Sequence, residues 1–138
     1  MKIYKPVSLT LMILFAITGL LFLFIPDRVL GLFNALSSFL NLPQAPVTGH
    51  GIYVILTGGY MYLVTMLAFL MFKHPQSKYF PFLLIHAKIV SSVLSLAMFV
   101  VQGHYLIYLA NFLVDGFIAA GVAALYFKMG RLAQWASY

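Results

Sequence analysis

Residues 82–127 read FLLIHAKIVSSVLSLAMFVVQGHYLIYLANFLVDGFIAAGVAALYF, two apolar runs joined by the uncharged turn Gln102-Gly103, with Lys88 and Asp115 as their only charged residues. Each run has the length, about 20 residues, that an α-helix needs to cross the hydrocarbon core of a bilayer. A connection so short makes the two runs antiparallel neighbours. Two further runs of the same kind precede them, Pro6 to Ile25 and Gly51 to Phe72, both without a charge. The expected spans are therefore residues 6–25, 51–72, 82–101 and 105–127 of a single membrane domain, residues 1–138.

Composition agrees with that pattern. Of 138 residues, 64% are hydrophobic and 7% charged, whereas soluble domains are about 45–50% apolar and about 25% charged. Too few polar residues exist to cover a water-facing surface, which excludes a soluble enzyme and a disordered tail. The absence of cysteine excludes disulfides, thiolate metal sites and cysteine nucleophiles. Asp27 and Asp115 are the only side-chain carboxylates, whereas calcium binding and two-carboxylate hydrolysis need more or better-placed oxygens. The formal charge of +6 comes from residues flanking the apolar runs, where they act as topology signals and headgroup contacts rather than as a nucleic-acid surface.

Orientation follows from those flanks. Lys2 and Lys5 precede the first run, Lys73 and Lys78 separate the second from the third, and Lys128 and Arg131 follow the fourth. All fall on one side, while the other side carries only Arg28 beside Asp27 and the Gln102-Gly103 turn. The positive-inside rule places that basic side, with both termini, in the cytoplasm; the expected location is a bacterial inner membrane. The first run is read as a retained span, because it exceeds the apolar core of a signal peptide and Ile25-Pro26-Asp27 is a poor cleavage site.

The stretch 27–40 adds a surface element. Val29, Leu30, Leu32, Phe33, Leu36, Phe39 and Leu40 form an apolar helical stripe, with Arg28, Asn34, Ser37, Ser38 and Asn41 opposite. Too short to span, it is expected to lie along the outer membrane surface or to pack back across the mouth of the bundle. Pro43 and Pro46 end it.

Polar residues inside the spans are grouped by the helical repeat. His104, Tyr108, Asn111 and Asp115 share one face of the fourth span. Lys88, Ser91, Ser92, Ser95 and Gln102 share one face of the third, and His50, Tyr53, Thr57 and Tyr60 one face of the second. A polar group in hydrocarbon needs a partner, so the three stripes are expected to face one another, with the first helix more peripheral. Lys88 lies 14 residues before Gln102, and Asp115 11 after His104, depths of roughly 21 Å and 16–17 Å that a lysine side chain bridges. The expectation is a Lys88–Asp115 ion pair or shared network, either structural or a site for a proton, an anion or a polar ligand head. The alternative is that Lys88 snorkels toward the headgroups and leaves Asp115 to the serines.

Other residues define weaker candidates. His50 and His104 begin outer span ends at similar depth, the minimum for a bis-histidine haem b; no other metal site is expected. Gly116, Ala120 and Ala124 recur every fourth residue away from the polar stripe, and Gly58 and Gly59 adjoin one another on the second span. Small residues so spaced let a helix of the same bundle or another subunit approach closely.

The four-span plan, together with Phe24-Ile25-Pro26-Asp27-Arg28-Val29-Leu30-Gly31, resembles the small bacterial membrane proteins of the DoxX-like families. Some of these resemble membrane subunits associated with quinone-linked sulfur oxidation, so the resemblance implies a membrane partner or a quinone. It assigns no functional residue.

The expected fold is an all-α integral membrane four-helix bundle with an added amphipathic surface helix. The expected function is that of a non-enzymatic subunit or accessory factor of a larger membrane complex, such as one of electron transport, with the lipid bilayer, other membrane subunits or a second copy as partners. The competing expectations are a binder or carrier of a quinone, lipid or small polar solute, using Lys88, Asp115, Asn111, Ser91, Ser92, Ser95, Tyr108 and Thr57, and a haem b anchor. No cofactor is required by the first.

Overall fold

Pro26 has no N–H to continue a helix and disfavours helical geometry at the residue before it. The chain accordingly breaks at Ile25, whose φ of −137° and ψ of 48° lie outside the α region. In the computed structural model, which describes residues 3–47 and 51–135, this break separates α1 (Tyr4–Phe24) from α2 (Pro26–Phe39). Three more helices follow: α3 (Gly51–Lys73), α4 (Tyr79–Val101) and α5 (Leu106–Trp135). Among the described residues all regular structure is helical, and four helices, all but α2, are long and apolar enough to cross a membrane. The helix of the fourth span continues beyond the apolar run at Phe127 to Trp135.

The four long helices form two antiparallel pairs, α1 against α3 and α4 against α5, with a smaller contact between α3 and α4. The α1–α3 pair is set by Gly19. A Cβ at that position would stand 2.9 Å from Met61 Cβ, closer than two such atoms approach, so only glycine permits this separation. As its lack of a polar stripe suggested, α1 is the least buried of the four spans. It packs along α3 and sends Phe15 into the core, where the ring is 1% exposed. The α4–α5 turn needs the other indispensable glycine, Gly103, at φ +150°.

The packed core lies toward one end. Val64, Ala68 and Met71 of α3, Leu84 of α4 and Val122 of α5 are buried there together with Tyr4 of α1. Lys5, Lys73 and Lys78 stand at helix ends on this same side, and Lys128 at the end of the apolar part of α5. Apolar side chains on the outer faces, such as Ile17, Leu63, Val93 and Phe117, remain exposed, as helices facing acyl chains require.

At the opposite end α2 buries Asn34 and Ser37 of its polar side, whereas Leu32 is 62% exposed and Phe39 84%, as an amphipathic helix with its apolar face toward lipid requires. The burial comes from the segment that follows. Asn34 Nδ2 donates to the Ala45 carbonyl at 2.8 Å, and the Ala45 N–H donates to Asn34 Oδ1 at 2.8 Å. Gln44 Nε2 adds a bond to Ser38 Oγ at 3.0 Å. Residues 42–47 have no ladder or helix to satisfy their backbone groups, and the polar side of α2 supplies the partners. The reversal of direction uses a Schellman cap: Asn41 takes φ 53°, and Leu42 N–H reaches back to the Ser37 carbonyl at 3.0 Å.

Candidate functional site

Lys88 and Asp115 meet at mid-depth between α4 and α5. Lys88 Nζ donates to Asp115 Oδ1 at 2.7 Å, and the residues are 2% and 3% exposed. The ammonium does not extend toward the headgroups. It also lies over two aromatic rings, 4.5 Å from the centroid of Phe15 on α1 and 5.2 Å from that of Tyr60 on α3. One cation therefore touches all four long helices, with the ring faces replacing part of its hydration. Asp115 is less completely served: among the described residues no donor reaches its buried Oδ2.

The α4–α5 seam continues from the ion pair in a ladder of polar contacts toward the α2 end. Asn111 Nδ2 donates to Ser91 Oγ at 3.2 Å and to Ser95 Oγ at 2.7 Å. Ser92, one helical step around α4, turns away from this ladder and donates to the Phe112 carbonyl at 2.8 Å. It locks the two helices together instead of lining a site. Gly116 allows that approach, since a Cβ there would be 3.3 Å from Ser92 Oγ. On α3 the Tyr60 hydroxyl donates to the Ala87 carbonyl at 3.2 Å, tying the two helix pairs at the level of Lys88.

Above this level a cavity of about 950 Å³ lies between the pairs. Its floor is Lys88 and Asp115, with Phe15, Tyr60 and Met61 beside them. Its polar wall is Ser91, Ser95, Asn111, Tyr108 and Thr57. Leu14, Phe22, Val54, Ile107 and Val114 form apolar walls, and Pro26, Leu30, Ala45 and Pro46 reach across the α2 end. Several wall residues are also exposed at the flanks of the bundle: Leu14 44%, Leu56 62% and Val114 52%. These residues thus belong both to the wall of the cleft and to the exposed surface of the bundle. Ligand pockets span about 300–1,000 Å³ and combine apolar walls with a few convergent polar groups, a description that fits this cleft.

The other candidates are placed elsewhere. His104 is exposed and stands edge-on to Phe99, with 5.0 Å between ring centroids; it does not line the cavity. His50 lies outside the described residues. Ala120 and Ala124 are exposed on α5, apart from Gly116. On α3, Gly58 faces Leu23 of α1, where a Cβ would meet Leu23 Cδ1 at 3.4 Å, and Gly59 faces open space. His86 satisfies its own helix, with Nδ1 2.9 Å from the Phe82 carbonyl.

Phe15 and Asn34 are the contributors that sequence reasoning missed. Phe15 is one apolar residue among many in a helix without a polar stripe. Asn34 has its partner on a backbone 11 residues ahead, which no periodicity marks. Comparison with protein-family models, with curated proteins and with solved structures gives no match.

Proposed function

We propose that this chain is a non-enzymatic membrane protein that binds or carries a small amphipathic molecule in the cleft between its two helix pairs. The observation that carries this reading is the 950 Å³ cavity with apolar walls and a charged, hydrogen-bonding floor. The ion pair, though nearly fully buried, borders that cavity. The exposed flanks of the cleft favour molecules that reach it from the bilayer, such as a quinone or a lipid, over a solute from water. The resemblance to DoxX-like proteins points the same way. The basic residues at the packed end support a cytoplasmic placement of both termini in a bacterial inner membrane, so the cleft belongs to the outer leaflet.

The test is saturable binding of a labelled quinone and a labelled lipid to the protein in nanodiscs. Thr57→Trp, which fills the cleft from α3, is expected to weaken binding at least about tenfold while helical content is kept, since it removes the room the ligand occupies. Binding that is unsaturable, or unchanged by the tryptophan, overturns the reading.

A second reading, an accessory subunit of a larger membrane complex, is favoured by the exposed Ala120 and Ala124 on α5, where a neighbouring helix can approach closely. Purification in mild detergent after cross-linking tests it. A stable protein with no cross-linked partner, either another chain or a second copy, counts against it.

A further inference from the structure

We propose that the head group taken at the floor of the cleft is uncharged and donates a hydrogen bond, as a hydroxyl does, to Asp115 Oδ2. This deepens the binding reading and rests on it. The charge of the floor is already balanced. The Lys88 ammonium is bonded to Asp115 Oδ1 at 2.7 Å and covered by the rings of Phe15 and Tyr60. A carboxylate or phosphate head finds no free cation there and meets the Asp115 carboxylate. A cationic head meets Lys88 and adds a net charge in a low-dielectric site.

What the floor lacks is a donor. Asp115 is 3% exposed and borders the cleft, and among the described residues nothing donates to its buried Oδ2, so a small turn of the carboxylate is what brings this oxygen to a head group in the cleft. A buried carboxylate oxygen without a donor is costly, and a neutral O–H supplies one without disturbing the ion pair. The hydroxyl of Ser95, which already accepts from Asn111, keeps its own proton to donate to the lone pairs of the same head, whereas Ser91 is engaged with the Tyr60 hydroxyl. The apolar walls then receive the tail, so the recognised class is a neutral amphiphile with a hydroxyl head.

The chain contains no cysteine, so Val54→Cys places a single thiol on the cleft wall. Its rate of labelling by a small methanethiosulfonate reagent in nanodiscs reports occupancy. Four probes share one tail: dodecanol, dodecyl methyl ether, dodecanoate and dodecyltrimethylammonium. Dodecanol is expected to protect the thiol at a concentration about tenfold or more below that of the ether, the factor expected of one hydrogen bond to a charged acceptor, and below both ions. Adding Asp115→Asn, which puts an amide donor or a weaker acceptor at this position, is expected to reduce the alcohol preference to less than about twofold, because the charged acceptor is gone. If that variant does not accumulate, the ranking of the four probes on the Val54→Cys protein decides alone. Equal or better protection by the ether or by either ion overturns the inference and leaves the binding reading standing. Full-rate labelling in the presence of every probe overturns both.

Discussion

Gly19 and Met61 bring α1 and α3 so close that the missing Cβ of the glycine would lie 2.9 Å from the Cβ of the methionine. The obstructing atom is fixed to the backbone, so no rotamer change relieves it. Helix spacing in this pair is consequently decided by one residue, and with it the position of Phe15 one turn away, over Lys88.

Gly19→Ala should therefore destabilise the protein by about 1–3 kcal/mol, the usual cost of overpacking. Thermal unfolding in detergent checks this, as does a double-mutant cycle with Met61. Met61→Ala retains Cβ and should give no relief, whereas Met61→Gly should show favourable coupling with Gly19→Ala. Gly59→Ala, with nothing within 4 Å of its Cβ, should stay within about 1 kcal/mol of the parent, on the stabilising side.

Removal of one charge of the buried pair leaves the other without a counter-ion. Lys88→Met or Asp115→Leu alone should each cost about 3–5 kcal/mol, and the double replacement should recover most of that loss. Accumulation in the membrane and unfolding midpoints of the three variants provide the measurement. Exchanging the residues, Lys88→Asp with Asp115→Lys, should be tolerated better than either half of the exchange. A double variant as damaged as the sum of its parts would contradict the coupling.

Phe15 acts on Lys88 through its ring face at 4.5 Å. Phe15→Leu keeps most of the buried volume, and its cost beyond repacking should be about 0.5–2 kcal/mol. That part should vanish when the change is made in the Lys88→Met background. Phe15→Ala should cost more, about 3–5 kcal/mol, because it also opens a cavity.

Asn34 holds residues 42–47 over the cleft through both ends of its amide. Asn34→Ala should raise hydrogen exchange at Ala45 by a factor corresponding to about 1–3 kcal/mol of local stability, with the exchange of α3–α5 unchanged. Asn34→Asp retains an acceptor for the Ala45 N–H but sets a carboxylate against the Ala45 carbonyl. It should protect the segment less than asparagine does.

Hydropathy and the helical repeat made much of this molecule readable. The uncharged run of α1 and the spacing of Ser91, Ser95, Asn111 and Asp115 specify helices and faces, and Lys88 and Asp115, counted from the Gln102-Gly103 turn, fall within side-chain reach of each other. Periodicity gives a direction around a helix axis but not the distance to the next helix. The cleft between the pairs was therefore invisible, as was the role of Phe15. The burial of the polar side of α2 escaped for a different reason. The hydrophobic pattern of that helix describes a preference between water and lipid, and the backbone of Ala45 offered Asn34 something stronger than either.

On the binding reading proposed above, the exposure of Leu14, Leu56 and Val114 changes what dose means for this protein. A molecule dissolved in the membrane would then reach the cleft without passing through bulk water, and occupancy would track its mole fraction among the lipids and not its aqueous concentration. A compound that partitions a thousandfold into the leaflet needs only a modest intrinsic affinity to fill the site. Two compounds with identical contacts at the floor will rank by how readily each dissolves in the surrounding fat.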